Sequence, residues 1–355
     1  MAQYDLANTT TSTEITDYTT PTESTDGVTS KETFWYNNNF NKYYGKYINV
    51  AKLNISINAY ATWVLGIGWN SEISKIELEN ITGWGEDSFT QVLWNMLVIK
   101  KVNGDSFAEI VRNEETGALI NIKPLDPSTV VTVGGDKGEI VRYEIIVKGR
   151  DENQKIAVEK MLHLSNDRVA DNMHGQSVIQ AVEWNIEAQE EARRVHRRKV
   201  KNSGVLGVLE TDTDNVTDTT TLKTPIKKSM EEGTLLMYPK DTMVMKPWEV
   251  KLYTSDMITW LNYLDDEFFQ MIGIPKIIIG GSGQIEGDSK ISYTAFEQFY
   301  KRAINDLQDD LWNQLAIRVE FNTPVSIATE LASNEVKNAS QTGFQSNDTT
   351  AGVGV

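Results

Sequence analysis

The chain has 355 residues, 40% of them hydrophobic, and is therefore long enough to form two or three substructures with cores of their own. Its formal net charge of −16 argues against a protein whose outer surface coats nucleic acid, because such surfaces are rich in Lys and Arg. The absence of cysteine excludes disulfides, thiol catalysis and cysteine-type zinc sites. No basic-then-apolar leader and no apolar run of about 18 residues occur, so we expect a soluble protein without a membrane span.

Both ends of the chain have the composition of disordered segments. Residues 1–32 are rich in Thr and poor in large apolar side chains, so they bury too little surface to offset the entropy of ordering. Residues 331–355 are similar and are predicted to form a flexible tail. The folded part is expected between residues 33 and 330.

The first half of the folded part is predicted to be α+β. Apolar residues recur at helical spacing over 48–66 and again over 87–102, where Asp87 or Ser88 is the predicted N-cap and Gly104 the stop. Short alternating segments follow, separated by turn sequences that contain Gly. They predict antiparallel strands over 106–112, 119–123, 129–133, 140–148 and 155–164.

A long polar helix is predicted over residues 177–202, which contain neither Pro nor Gly and would span about 39 Å. Its apolar row is narrow, and its acids precede its bases. A helix this polar does not fit inside the core of a single chain. The basic residues are Arg193, Arg194, Arg197, Arg198, Lys199 and Lys201. Three roles are open for them: a solvated end that complements the helix dipole, contact with DNA phosphates, or contact with a neighbouring subunit.

The remainder alternates strands, helices and one glycine-rich connection. The stretches "GVLGVLE" and "TLLMYP" within 204–253 are predicted to be short strands. Ser255 is the predicted N-cap of a helix over 256–272, and a third helix is predicted from Ser292 to about Ile317. Between these two helices lies "GIPKIIIGGSGQ", whose glycines favour a loop.

No catalytic, metal or cofactor site is predicted. The glycine-rich stretch is not a P-loop, because Gly287 is followed by Asp288 where that motif needs Lys. Gly-x-Ser-x-Gly is absent, and the histidines 163, 174 and 196 have no partner at ligand spacing. The acidic runs 265–267 and 309–310 are interpreted as solvated helix faces.

The order of these elements resembles the portal proteins of tailed viruses, specifically the HK97-type phage portal family. The resemblance rests on "DSFAEIVRNEETGALINIKPLDPSTVVTV" (105–133), a strand holding His163, and "GQSVIQAV" (175–182) opening a long helix. It continues with "GIP" (273–275), a glycine-bearing loop and the helix "YTAFEQFYKRAINDLQDDLW". It covers roughly residues 35–320.

The resemblance implies a division into portal substructures. These are a wing (33–174), a stem helix (175–203), a clip (204–253), a second stem helix (254–274), a tunnel loop (275–291), and an inner helix returning to the wing (292–330). Too little chain follows residue 330 for a sizeable helical crown.

The resemblance also implies a function: a ring, expected to be a dodecamer, at one capsid vertex of the virion, assembled in the host cytoplasm. Double-stranded DNA would pass through it during packaging and ejection. The implied partners are the large terminase subunit, the major capsid protein and a head–tail adaptor, and the protein would be no enzyme. The residues implied to line the channel are Ile278, Ile279, Gly280, Gly281, Ser282, Gly283 and Gln284. Two alternatives stay open: another ring-forming head–tail connector or tail structural protein, and an enzyme using the 163–177 region.

Overall fold

The computed structural model describes residues 32–71, 75–135, 139–147, 153–170, 172–202, 207–211, 221, 224–225, 228, 243–247, 252–279 and 286–323. The chain divides into two compact units. Unit 1 comprises Met1–Val182 and Phe269–Val355, and unit 2 comprises Glu183–Phe268. The predicted arm up to residue 31, the predicted tail 331–355 and the predicted strand "TLLMYP" lie outside the described residues.

The described helices are α1 (Phe40–Asn49), α2 (Ala51–Leu65), α3 (Lys75–Glu79), α4 (Phe89–Asn103), α5 (Val178–Asn202), α6 (Thr254–Ile272) and α7 (Glu286–Leu315). The described strands are β1 (Thr33–Trp35), β2 (Trp69–Asn70), β3 (Asp105–Arg112), β4 (Leu119–Leu125), β5 (Val130–Gly134), β6 (Ile140–Ile145), β7 (Gln154–Ala157), β8 (Met161–Ser165), β9 (Gly207–Thr211), β10 (Met243–Pro247) and β11 (Glu320–Phe321). Helices and antiparallel sheets therefore coexist, as the α+β prediction requires.

Helix α1 was not predicted, and the helix predicted over 48–66 begins later than expected. Val50 is extended, with φ −98° and ψ 97°, and separates α1 from α2. The polar sequence of α1 hides its pattern, but Phe40, Tyr43 and Tyr47 follow i, i+3, i+7 and are buried. Burial of these three rings fixes a helix that periodicity alone does not indicate.

Helix α4 begins and ends as its sequence predicts. Of the two candidate N-caps, Ser88 is correct, since its hydroxyl accepts from the Gln91 backbone at 3.3 Å and its own N–H donates to the Gln91 side chain at 2.7 Å. This reciprocal capping box satisfies two backbone donors at the helix start. Gly104 ends the helix at φ 96°, in the left-handed region that glycine tolerates.

Two antiparallel sheets of unit 1 share a core. Their strand orders are β1-β5-β6-β7 and β4-β3-β8. The shared cluster consists of Phe107, Val130, Tyr143, Ile156 and Met161, which are all buried. β2 pairs separately with β11.

The single strand predicted over 155–164 is wrong, because the chain forms β7, a 3-10 turn at Val158–Lys160, and then β8. Ile156 and Met161 both enter the shared core, although they are an odd number of positions apart. In one continuous strand they would point to opposite faces. The turn lets both face inward and transfers the chain from the first sheet to the second.

Helix α7 packs on unit 1 along its apolar face, where Phe296, Tyr300, Leu307 and Leu311 are buried. It begins at Glu286 rather than at the predicted Ser292, because residues 286–290 carry no apolar residue to reveal the helical period. Near its end, Gln314 accepts from the His163 backbone N–H at 2.7 Å and donates to its carbonyl at 2.8 Å. The Gln314 side chain therefore pairs with the backbone N–H and C=O of His163 at the outer edge of β8, as the backbone of a neighbouring strand would.

Unit 2 contains most of α5 and α6, and the pair β9–β10 in antiparallel register. Asn185 on α5 is fully buried and donates to the Leu264 carbonyl on α6 at 3.0 Å. Gln189 donates to the Asn185 side chain at 2.8 Å. A buried amide that must reach a specific carbonyl fixes the register of α5 against α6. Val182 and Ile186 contribute the apolar part of the buried α5 face.

Candidate functional site

Three residues before α5 begins, at Gly175, the chain crosses another segment at backbone distance. A Cβ placed on Gly175 would lie 2.4 Å from the Gly104 carbonyl oxygen and 2.5 Å from both the nitrogen and the oxygen of Asn166. Only glycine fits such an approach. This crossing explains the glycine of "GQSVIQAV": it lets the chain pass directly over the end of α4 before α5 begins.

A buried carboxylate secures the same crossing. Asp105 accepts the Gly175 N–H with both oxygens, at 2.9 and 3.0 Å, and contacts His163 Nε2 at 2.8 Å. The side chain of Asp105 is fully buried, so these polar contacts replace its lost hydration. Ser177 adds a hydrogen bond to the Val102 carbonyl at 2.5 Å.

His163 belongs to this structural network. Its Nδ1 contacts the Tyr143 hydroxyl at 3.0 Å, and its ring stacks on Phe107 with centroids 4.7 Å apart. Burial and the nearby Asp105 charge raise the pKa of Tyr143 well above its usual range, so that its hydroxyl stays protonated. The partner Asp105 lies 58 positions away in sequence, which is why spacing could not reveal it. His174 stacks on Trp35 at 4.2 Å, whereas His196 lies on α5 in unit 2.

A polar cavity of about 420 Å³ opens beside this network and is lined by α4, α7 and the segment after β8. The nearly buried Lys101 donates to Asn166 at 2.7 Å and sits 4.5 Å from the Tyr60 ring centre. Burial lowers the pKa of Lys101 to about 8. Burial also raises the pKa of Asp310, which is half-buried, so the run 309–310 is not simply a solvated face.

Part of the predicted tunnel loop is ordered as a short helix. Gly273 ends α6 at φ 73°, and a 3-10 turn covers Lys276–Ile279. Ile278 donates from its backbone to the Pro275 carbonyl at 3.0 Å. Ile278 and Ile279 are half-buried, and the turn contacts α2. The other predicted channel residues, Gly280 to Gln284, lie outside the described residues.

The basic end of α5 is exposed to solvent. All six predicted residues are exposed: Arg193, Arg194, Arg197, Arg198, Lys199 and Lys201. They lie in unit 2, whereas the 3-10 turn lies in unit 1, so these two predicted sites are on different compact units. Arg194 forms an ion pair with Glu191.

Sequence reasoning missed the Gly104–Gly175 crossing, the Asp105–His163 pair and the Lys101 cavity. Within the described ranges, no group of three or more His, Cys, Asp or Glu is placed to hold a metal. No helix in the same ranges is long and apolar enough to cross a membrane.

The comparisons with known proteins define the class. The model of the family described as "Phage portal protein" matches residues 86–342, which is more than half of the chain. This chain belongs to the phage portal protein family. No curated protein sequence matches it.

Solved structures match the fold over most of its length. A chain from the neck of a native gene transfer agent particle, computed with C12 symmetry, aligns with TM-score 0.63 and 15% identity over 88% of this chain and 92% of that one. A chain from the virion of the native particle aligns with the same TM-score and identity, over 88% of this chain and 91% of that one. An HK97-family phage portal protein from Corynebacterium diphtheriae aligns with TM-score 0.54 and 11% identity, over 78% and 94%. The portal-like fold is therefore confirmed.

Proposed function

We propose that this protein forms a ring-shaped channel at one vertex of a viral capsid, through which double-stranded DNA is packaged and later ejected. The observation that carries the proposal is the family match over residues 86–342. It favours a portal over another connector or tail component. The matched neck computed with C12 symmetry supports a ring of twelve copies. Such a ring would carry 12 × −16 = −192 formal charges, which favours a bore that repels DNA and lets it slide.

The connection 275–291 is proposed to be the tunnel loop. In a ring, identical connections from all copies would meet near the axis. Its isoleucines, at 277–279, and its glycines carry no charge, so they would touch duplex DNA of any sequence without gripping its phosphates. The glycines supply backbone freedom to follow a DNA helix whose symmetry differs from that of the ring.

The proposed partners follow from the portal role. The ring would sit among copies of the major capsid protein, and the clip, 204–253, would dock the head–tail adaptor. The large terminase subunit would supply ATP hydrolysis, since this sequence has no P-loop lysine. The protein itself is proposed to be a channel without catalytic activity, assembled in the host cytoplasm and retained in the virion. Assays of hydrolase activity on the parent and on His163→Ala should both give background rates.

The ring is tested by measuring the mass of the purified protein. A dodecamer predicts particles near 12 × 40.0 kDa = 480 kDa with a central hole in electron micrographs. A mixture of monomers and rings supports the proposal as well. A protein that stays at 40.0 kDa at every concentration and salt, even with capsid protein present, would contradict it.

The tunnel loop is tested by adding charge. Ile278→Lys with Ile279→Lys would place two cations per copy at the axis, and DNA packaged per procapsid should fall, less so at high salt. The matched control is Ile48→Lys with Ile55→Lys, since both residues are exposed in unit 1, at 55% and 48%. Ring yield reports folding for both variants. Equal packaging by the two double variants, at equal ring yield, would remove 275–291 from the channel.

A further inference from the structure

The basic end of α5 (residues 193–201) has cations with no partner within the described chain. The structure records an ion pair for Arg194, to Glu191, and none for Arg193, Arg197, Arg198, Lys199 or Lys201 among the residues it describes. Two apolar side chains lie among them, since Val195 is 36% and Val200 47% exposed. A surface that mixes Arg with exposed aliphatic groups has the composition of a protein–protein contact.

A complementary surface lies on α6. This helix, Thr254–Ile272, contains four acids and no Lys or Arg. Four of its residues follow i, i+4, i+7 and i+11 and so form one stripe, which we call the acidic aromatic stripe: Asp256, Trp260, Tyr263 and Glu267.

The stripe is open to solvent at its centre. Trp260 is 48% and Tyr263 56% exposed, and their rings stack with centroids 5.5 Å apart. The buried face of α6 lies directly beside the stripe, with Leu264 and Phe268 fully covered. A helix that is apolar on one face and aromatic on another needs a second surface to cover it.

We infer that the basic end of α5 in one copy binds the acidic aromatic stripe of α6 in a second copy. The inference rests on the ring of the proposed function and names two surfaces that would close it. Both surfaces belong to unit 2. In the single chain the basic end is exposed, and so are Asp256, Trp260 and Tyr263 of the stripe, so these parts do not cover each other within one copy. Glu267, at the end of the stripe, is half-buried and accepts from Asn185 of its own copy at 3.4 Å. Two different patches that meet between copies make a heterologous contact, which is the kind that closes a ring.

The chemistry of the two surfaces matches. Guanidinium groups bind carboxylates by charge-assisted hydrogen bonds and stack on the faces of Trp and Tyr. Trp, Tyr and Arg are the residues that most often dominate the energy of an interface. Val195 would be covered by the aromatic rings, whereas phosphates would leave it in water. The net charge of −16 also disfavours DNA as the occupant.

Charge reversal on each surface tests the contact in the absence of DNA. Arg198 and Lys199 lie three and four positions beyond Val195 and share its side of the helix. The base-reversed variant is Arg198→Glu with Lys199→Glu. The acid-reversed variant is Asp256→Lys with Asp266→Lys, where Asp266 is the exposed acid next to Glu267; Glu267 itself is kept because it accepts from Asn185 within its own copy. Each alone should lower the fraction of protein in rings at least tenfold, measured by mass photometry or sedimentation. Lys155→Glu with Lys160→Glu, both exposed in unit 1, makes the same charge change as a control and should leave it unchanged.

Mixing the two variants gives the decisive result. When the two variants alternate around a ring, the glutamates of a base-reversed copy meet the lysines of an acid-reversed copy at one contact. At the next contact the unchanged basic end of the acid-reversed copy meets the unchanged stripe of a base-reversed copy. Both contacts pair opposite charges, so rings should return. Parent-like rings from each variant alone would overturn the inference and leave the channel proposal standing. A parent that never exceeds 40.0 kDa would instead overturn the channel proposal. A base-reversed variant that forms normal rings but loses binding to duplex DNA would assign the basic end to phosphates, and the inference would be wrong.

Discussion

Gly175→Ala is expected to be strongly destabilising, although it adds only one methyl group. The added Cβ would lie 2.4–2.5 Å from backbone atoms of Gly104 and Asn166, where real Cβ atoms stay beyond 3.0 Å. Backbone atoms cannot rotate away, so the crossing must open; overpacking of this kind costs about 1–3 kcal/mol. Opening it also weakens two hydrogen bonds to the Asp105 carboxylate, worth about 1.5–3 kcal/mol in sum. We expect a loss of about 3–5 kcal/mol in the free energy of unfolding.

The assay is urea denaturation followed by circular dichroism, with two glycine controls. Gly45→Ala lies in α1 with no atom within 4 Å of its Cβ and should stabilise by about 0.5–1 kcal/mol. Gly117→Ala has equally open space but φ 72°, so it reports the cost of the left-handed backbone alone, about 1 kcal/mol. A denaturation midpoint of Gly175→Ala within error of the parent would refute the role of the crossing.

Four further predictions follow from single features. Burial lowers the pKa of Lys101 from 10.5 to about 8, so between pH 8 and pH 10.5 the unfolded chain binds more protons than the folded one. The free energy of unfolding of the parent should therefore rise over this pH range by up to about 3 kcal/mol. Urea titrations at pH 7 and 10 should show this rise in the parent and not in Lys101→Met. Asn185→Leu should cost about 1 kcal/mol and speed hydrogen exchange in α6, because the register contact between α5 and α6 is lost. Glu32→Gln should lower the free energy of unfolding by less than about 1 kcal/mol at pH 7, because Glu32 then accepts from Arg142, and this hydrogen bond lowers the pKa of Glu32. The difference should disappear as acid protonates Glu32, which thermal melts at a series of falling pH values test. Deletion of residues 1–31 should leave the melting temperature unchanged, and a large drop would show that the segment packs.

Elements with strong local signals were predicted well. Helix α4 combines a capping Ser88, a repeated apolar row and a terminal Gly104, and each signal agrees with the others. Helix α5 was predicted within one residue, because 177–202 lacks Pro and Gly. The order of elements sufficed to identify the family, although the identity to the matched structures is 11–15%.

Features that depend on long-range packing were not predictable. The break between β7 and β8 arises because Ile156 and Met161 pack into the same core. The alternation of apolar and polar residues along the sequence does not predict it, since that pattern carries no information about which core a side chain enters. The Asp105–His163 contact joins residues 58 positions apart, and the Gln314–His163 pair joins residues 151 apart. Gly175 belongs to the motif "GQSVIQAV", but a glycine is required there because the chain crosses Gly104 and Asn166, and this contact exists only in the folded protein.

The disagreement between α5 and the rules for a single-chain helix is itself informative. Its length and its lack of Pro and Gly favour a helix, yet its second half is mostly charged and has two scattered valines where a core helix presents a continuous apolar stripe. Its first half satisfies those rules within unit 2, since Asn185 and Ile186 are buried. The conflict is therefore confined to the part beyond Gln189, where the chain offers no described partner for five of six cations. Local breaks in the agreement between propensity, apolar pattern and packing are expected at functional surfaces. The second half of α5 is such a break, so we expect it to be a contact surface. The partner that we infer for this surface is the acidic aromatic stripe of another copy, whose acids and exposed rings complement its charge and its valines.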